Sequence, residues 1–271
     1  MITANTWIQP VIRGAVVMSC LTAMPALAVL HSQTFNVSGT GGRAAQAIFS
    51  TNALCVSNCV LTIQLTNTST NNIADPIEVL TGLFFDFAGS PAVTAGTAAV
   101  APGSTVITTS NAGVVSTLYP AGTNVGSQWA FKQGALNVGS TTYEYGISSA
   151  GLGLFGGTDL FCQDAPVNVN CPVLTAGNAG AAPDGLAFGI VPATYTGANA
   201  NGGVTGRSLE RSSVIFTLNS VPGDLTGALN GLRFQYGTAL NEGNITVPEP
   251  STLLLLGLGI FGLLNFRRRM A

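Results

Sequence analysis

The sequence predicts an all-β protein: an antiparallel, jelly-roll-like β-sandwich with long Gly/Asn/Thr-rich loops, followed by a C-terminal transmembrane helix. Three observations carry this. In the body, apolar residues recur with period two and not 3.6. Clusters of Gly, Pro, Asn, Asp and Ser punctuate these runs at short intervals, as hairpin turns require. One uncharged apolar stretch stands apart at the very end, closed by three arginines.

The 271 residues allow a full core, and removing both terminal segments leaves roughly 220, a size that suits one sandwich domain. Only 7% are charged, against about 25% in ordinary soluble domains, while Gly reaches 34 residues. The surface must therefore be built from hydroxyls and amides. Between Val29 and Val247 five basic residues (Arg43, Lys132, Arg207, Arg211, Arg233) face ten acids, and no basic stripe exists for a phosphate backbone. Nucleic acid is not an expected partner.

Residues 1–28 come first. Arg13 precedes an apolar stretch, GAVVMSCLTAMPALA, that ends in Ala26-Leu27-Ala28, the charged start, apolar middle and small-residue cleavage site of a signal peptide. Cleavage is expected after Ala28. An uncleaved anchor, or acylation at Cys20, are the competing readings.

The secreted domain is expected over residues 29–246. Leu61, Ile63 and Leu65 alternate with Thr62, Gln64 and Thr66, and Leu83, Phe85 and Phe87 alternate with Phe84 and Asp86. Val214, Phe216 and Leu218 form a third run, and Leu232, Phe234 and Tyr236 a fourth, with Arg233 and Gln235 between them. Each reads as a strand with one face on a core. Turns are expected at 67–72, 88–91, 101–104, 183–185 and 221–224. Residues 176–206, dominated by Gly, Ala, Asn and Thr, predict long loops or an irregular edge.

Cys55, Cys59, Cys162 and Cys171 remain once Cys20 leaves with the leader, an even number in an exported chain. In an extended strand Cys55 and Cys59 would lie about 13 Å apart at Cα, beyond the roughly 4.4–6.8 Å of a disulfide, so pairing them requires a tight turn at Val56-Ser57-Asn58. Local pairing is expected there and, by the same logic, between Cys162 and Cys171. Crossed pairing such as Cys55 to Cys171, or a four-thiolate zinc site at unusual spacing, are the alternatives.

At the far end Ser251 to Phe266 carries no charge and would span about 24 Å as a helix, short of a roughly 30 Å hydrocarbon core. Arg267, Arg268 and Arg269 resist burial and act as a stop-transfer signal that keeps this end inside and the body outside. Pro248 and Pro250 force extended backbone just before the span, which is the form a processing enzyme grips.

Val-Pro-Glu-Pro-Ser, a Leu/Gly-rich span and a basic terminus, over residues 247–271, resemble the PEP-CTERM sorting signal of exosortase-dependent bacterial surface proteins. The resemblance implies that a membrane-embedded exosortase recognises Pro248, Glu249 and Pro250 and removes the tail, so that these residues are substrate. Two stretches of the body, LTIQLTNTSTNNIADPIEVLTGLFFDFAG (61–89) and LRFQYGTALNEGN (232–244), resemble the framework of such proteins. The setting implied is a Gram-negative bacterium that makes exopolysaccharide or biofilm.

Signs of catalysis are few. Gly151-Leu-Gly153-Leu-Phe-Gly156 and Gly257-Leu-Gly259-Ile-Phe-Gly262 match a dinucleotide fingerprint, but the first precedes no helical pattern and the second lies in the apolar tail. A turn or bulge is expected at the first. The lone His31 falls at a fraying terminus, which argues against Ser-His-Asp and Cys-His chemistry. Asp75, Glu78, Asp86, Glu144, Asp159 and Asp164 could supply an acid and base for glycoside cleavage, yet no spacing singles out a pair. The expectation is a non-catalytic exported surface or matrix protein with no cofactor and no metal site, in contact with exopolysaccharide. One alternative is a carbohydrate-binding module or adhesin, with Trp129, Tyr143, Tyr145 and Tyr195 as candidate stacking rings and core packing as their competing role. The other is a carboxylate-dependent glycoside-active enzyme.

Overall fold

Alternation becomes strand wherever one face can be buried, and the computed structural model places fourteen such strands among the residues it describes: 31–71, 73, 75–110, 113, 115–162, 174, 183, 185–198 and 201–247. In chain order they are β1 (Ser32–Ser38), β2 (Ala44–Thr51), β3 (Cys59–Asn67), β4 (Leu80–Phe87), β5 (Thr94–Val100), β6 (Thr105–Thr109) and β7 (Val115–Tyr119). Then follow β8 (Ala130–Val138), β9 (Thr141–Ser148), β10 (Ile190–Val191), β11 (Ser208–Arg211), β12 (Ser213–Val221), β13 (Leu229–Tyr236) and β14 (Asn244–Thr246). The described helical pieces are three short 3-10 turns, and none of the described helices is long and apolar enough to cross a membrane. The expected span at 251–266 lies outside the described residues, as do Ala26, Ala28, Pro248, Glu249, Pro250, Arg267, Arg268 and Arg269.

Two sheets divide these strands. The five-stranded sheet runs β1-β2-β3-β12-β5, opening as a meander, and all its pairs are antiparallel. The nine-stranded sheet runs β14-β13-β4-β10-β11-β6-β7, and β9, carrying β8, joins it beside β4. The four runs read from the sequence fall on β3, β4, β12 and β13. Register sets Leu61, Ile63 and Leu65 opposite Leu218, Phe216 and Val214, and Leu83 opposite Phe234. These faces meet in one core with Phe85, Tyr145, Trp129 and Tyr236, so the all-β, two-sheet expectation holds.

The structure departs from the one-face reading at β4 and β13. Phe84, on the side of β4 opposite Leu83 and Phe85, is buried against Tyr143, Phe155, Leu136 and Leu160, because residues 150–160 fold back over the outer face of the sheet. Arg233 and Gln235 are buried as well, beneath the connection from β13 to β14. A second correction concerns 176–206. Its described part includes β10, which is an interior strand between β4 and β11, and the parallel β10–β11 pair is the exception to antiparallel pairing. Leu186, Val191, Tyr195 and Val204 there share a third buried cluster with Ile107 and Leu209.

Candidate functional site

The expected sorting segment leaves the body directly after β14, so the local question is what holds that exit. β14 pairs with β13, setting Thr246 opposite Arg233, Ile245 opposite Phe234 and Asn244 opposite Gln235. One residue further, Val247 N–H donates to Leu232 O at 2.8 Å. Ile245 and Val247 rest, half-buried, against the main core, while Asn244 and Thr246 face solvent. The backbone is thus stitched up to the residue before Pro248.

The connection that aims β14 is built on buried polar groups. Arg233 donates to Leu240 O at 3.0 Å and to Gln235 Oε1 at 3.2 Å, and Gln235 Nε2 donates to Ala239 O at 3.0 Å. Gly237 sits at φ 77°, and an added Cβ would collide with the Glu242 carboxylate that accepts from the Thr238 and Ala239 N–H groups. Thr81 Oγ1 donates to Gly237 O from below. Burial raises the Tyr143 phenol's pKa, with Arg233 and a hydrogen bond to Thr246 pulling partly back, and Leu240 of the connection packs against the cluster that holds Tyr143. The Phe-x-Tyr-Gly-Thr stretch therefore works as structure: two core rings, a left-handed turn and a clasp.

The other framework stretch also has a structural role. Asn67 donates to Ile190 O at 2.9 Å and Glu78 O at 3.3 Å, and accepts from Ser69 N–H at 3.1 Å, tying the end of β3 to the opposite sheet. Asp86 accepts from Glu144 N–H at 2.6 Å across β4 and β9.

Those contacts locate the carboxylates considered for chemistry. Asp86 and Glu144 are brought side by side by the Phe85–Tyr145 register, a proximity no spacing revealed. Asp86 is already committed to the Glu144 backbone, and Gln133 Nε2 donates to Glu144 at 3.4 Å. Asp75 and Glu78 close a 3-10 turn, with Asp75 N–H donating to Glu78 Oε2 at 3.1 Å. Asp159 accepts from Gly156 N–H at 2.8 Å and lies 3.6 Å from Lys132 Nζ. Asp164 lies outside the described residues. The Gly151 stretch forms the expected turn, with Leu154 and Phe155 N–H both donating to Gly151 O.

Trp129, Tyr143, Tyr145 and Tyr195 are all at most 1% exposed, so none of the four offers a ring face to a sugar. Tyr145 donates to Pro91 O at 2.6 Å, and Trp129 packs edge-on against Phe216 at 4.9 Å. His31 departs from the frayed terminus expected of it. Its carbonyl accepts from Thr51 N–H at 2.8 Å and its ring lies 3.1 Å from Gly223 O, because β1 begins at the next residue.

Cys55 and Cys59 form a disulfide with Cα atoms 5.8 Å apart, the turn at Val56-Ser57-Asn58 closing what an extended strand could not; Asn58 takes φ 53°. That pairing excludes a bridge from Cys55 to Cys171. Cys162 is disulfide-bonded too, and Cys171 lies outside the described residues.

One group escaped the sequence reading. Glu210 on β11 is completely buried, and among the described residues neither carboxylate oxygen has a hydrogen-bond partner. Burial pushes its pKa well above the ordinary carboxylate value. In Ser-Leu-Glu-Arg it looks like a solvated strand residue, and no local signal marks it.

The decisive observation for function lies where β14 ends. Residues 246–269 match the PEP-CTERM protein-sorting motif. The PEP-CTERM match begins at Thr246, the last residue of β14, so the motif is joined to the sheet without a spacer. The motif implies export, membrane anchoring and processing by an exosortase, and supports an exosortase-targeted surface protein. No curated protein and no solved structure matches the chain.

Proposed function

We propose that the chain is a non-catalytic surface or extracellular-matrix protein, exported by residues 1–28, cut by an exosortase at Pro248-Glu249-Pro250, and associated with exopolysaccharide or biofilm. The observation that carries this reading is the junction at Thr246 and Val247. The proline-bearing recognition segment follows a strand held by main-chain hydrogen bonds up to Val247, and the described core is assembled from residues up to that point. The low charge supports the matrix part, because a hydroxyl- and amide-rich surface exchanges hydrogen bonds with hydrated polysaccharide without an ionic requirement. With the four candidate stacking rings buried, no observation favours the carbohydrate-binding module over this reading.

The test is the intact mass and C-terminal peptide of native protein recovered from the cell surface and from the medium. A mature chain beginning near Val29 and ending near Pro-Glu-Pro is expected. A chain that still carries Arg267 to Arg269 in the membrane fraction would make the tail a plain anchor and overturn the proposal.

A further inference from the structure

Edge strands expose unpaired N–H and C=O groups, and β proteins blunt them with charge, proline, bulges, brevity or a covering loop. Four of the edges described here are blunted in these ways. Beside β5, residues 122–125 run along the strand, with Val100 N–H donating to Thr123 O at 3.0 Å and Val125 N–H to Ala98 O at 2.9 Å. β8 carries Lys132 and a register break between Gln133 and Leu136. β14 is three residues long, and β7 is five residues long with a register shift opposite Val106 and Ile107.

Among the described residues β1 has none of these protections. Its sequence, SQTFNVS, contains no charge and no proline, and it pairs with β2 in unbroken register from Ser32–Ser50 to Ser38–Ala44. β2 and β3 carry no charged side chain either. The phase of the ladder shows which groups are free. His31 O accepts from Thr51 N–H and Gly39 N–H donates to Arg43 O, so odd-numbered residues bond to β2. Antiparallel alternation then turns the N–H and C=O of Ser32, Thr34, Asn36 and Ser38 away from β2. Among the described residues nothing bonds to that side. The side chains of these four residues are exposed, whereas Gln33, Phe35 and Val37 are only half-buried on the core side, where the sheet stops.

We propose that β1 is a self-association edge, on which β1 of a second copy of this chain adds antiparallel to join two five-stranded sheets. A two-fold axis at Phe35 gives the register that uses all seven residues. It sets Ser32 opposite the second copy's Ser38, and Thr34 opposite its Asn36, so each outward N–H and C=O meets its counterpart. The same register places the two copies of Phe35 against each other and Val37 against Gln33, finishing the burial that the lone edge leaves incomplete. A pairing of identical surfaces requires that they not repel, and an uncharged edge meets that condition. The contact area of one strand pair is small, so the dimer is a weak one, with a dissociation constant on the order of 10 to 100 μM. This goes beyond the sorting function and does not depend on it.

The full chain in detergent tests this by velocity sedimentation over roughly 5 to 200 μM. Thr34 is the informative position because its N–H points away from β2. Thr34→Pro removes an outward donor and leaves the β1–β2 ladder whole, and Thr34→Lys sets like charges across the axis. The wild type is expected to pass from monomer to dimer over this range, with both variants at least tenfold weaker and their thermal unfolding unchanged. Register is read separately: under mild oxidation, a mixture of Thr34→Cys and Asn36→Cys chains is expected to cross-link severalfold more than either alone. A wild type that stays monomeric, a dimer that persists in both variants, or a mixture that links no better than its components would overturn the proposal.

Discussion

Glu210 shows how far a single residue can depart from its sequence neighbourhood. A carboxyl buried with both oxygens unpartnered is far cheaper to keep protonated than ionised, which is why its pKa is raised. The stability consequence has a definite sign. Below the ordinary glutamate value, near 4.5, folded and unfolded states are both protonated and Glu210 imposes no pH-dependent penalty. As pH rises past that value the unfolded chain releases the proton while the folded chain holds it, and stability falls by about 1.4 kcal/mol per pH unit until the folded group also titrates. Glu210→Gln keeps the shape and removes the titration. Denaturant unfolding at pH 4 and pH 8 is expected to show the variant gaining on the wild type at the higher pH. An equal difference at both pH values would mean that Glu210 ionises freely in the fold.

At the scale of elements, β14 is a three-residue strand with a task out of proportion to its length. Its pairing with β13, the Val247 to Leu232 hydrogen bond and the Ile245 side chain against the core separate a fixed body from the segment that the exosortase handles. A chain ending at Val247 is therefore expected to unfold at the same denaturant concentration as the full body. One ending at Glu242 loses the strand and about 2 kcal/mol, from one half-buried isoleucine and its ladder bonds. Urea titration of the two truncations decides this, and equal midpoints would deny β14 any anchoring role. The elements also show what patterning conveys. β3 and β12 were legible because they are half-buried strands with clean alternation, Leu61 to Leu65 and Val214 to Leu218. β1 and β2 were not read as strands, although Phe35 and Val37, then Ala45, Ala47 and Phe49, alternate there; small alanines and neighbouring Gly39 to Gly42 weaken the contrast. β4 was read half correctly, since LTGLFFDF has a period-two face but gives no sign that residues 150–160 cover the other.

The described body is held together with almost no ionic contribution. Among the described residues one ion pair is formed, Lys132 with Asp159 at 3.6 Å and partly exposed, while the main core draws apolar faces from both sheets. Hydrophobic burial, hydrogen bonds and the disulfides at Cys55–Cys59 and Cys162 must supply the stability. Raising NaCl from about 0.05 to about 0.5 M is therefore expected to leave the melting temperature within about 2 °C, because few interacting charges are available to screen. A fall of many degrees, followed by differential scanning fluorimetry, would reveal an ionic network that carries the fold.

Sequence by itself determined the all-β class, the four central strand runs and the sorting signal, and favoured the local Cys55–Cys59 pairing that the structure then settled. Each rests on near neighbours along the chain: alternation over a few residues, a turn of three, a linear recognition segment. Tertiary structure alone decided which polar residues are interior, as with Arg233, Gln235 and Glu210. It also decided that Asp86 lies beside Glu144, that the aromatic candidates for a sugar site are core, that β10 is an interior strand, and that β1 has β2 as its one strand neighbour among the described residues. These depend on which segments pack together, from a neighbouring connection at Arg233 to partners 58 residues apart at Asp86 and Glu144 and more than a hundred apart at β10, and a strand's period of two names its faces without saying what will cover them.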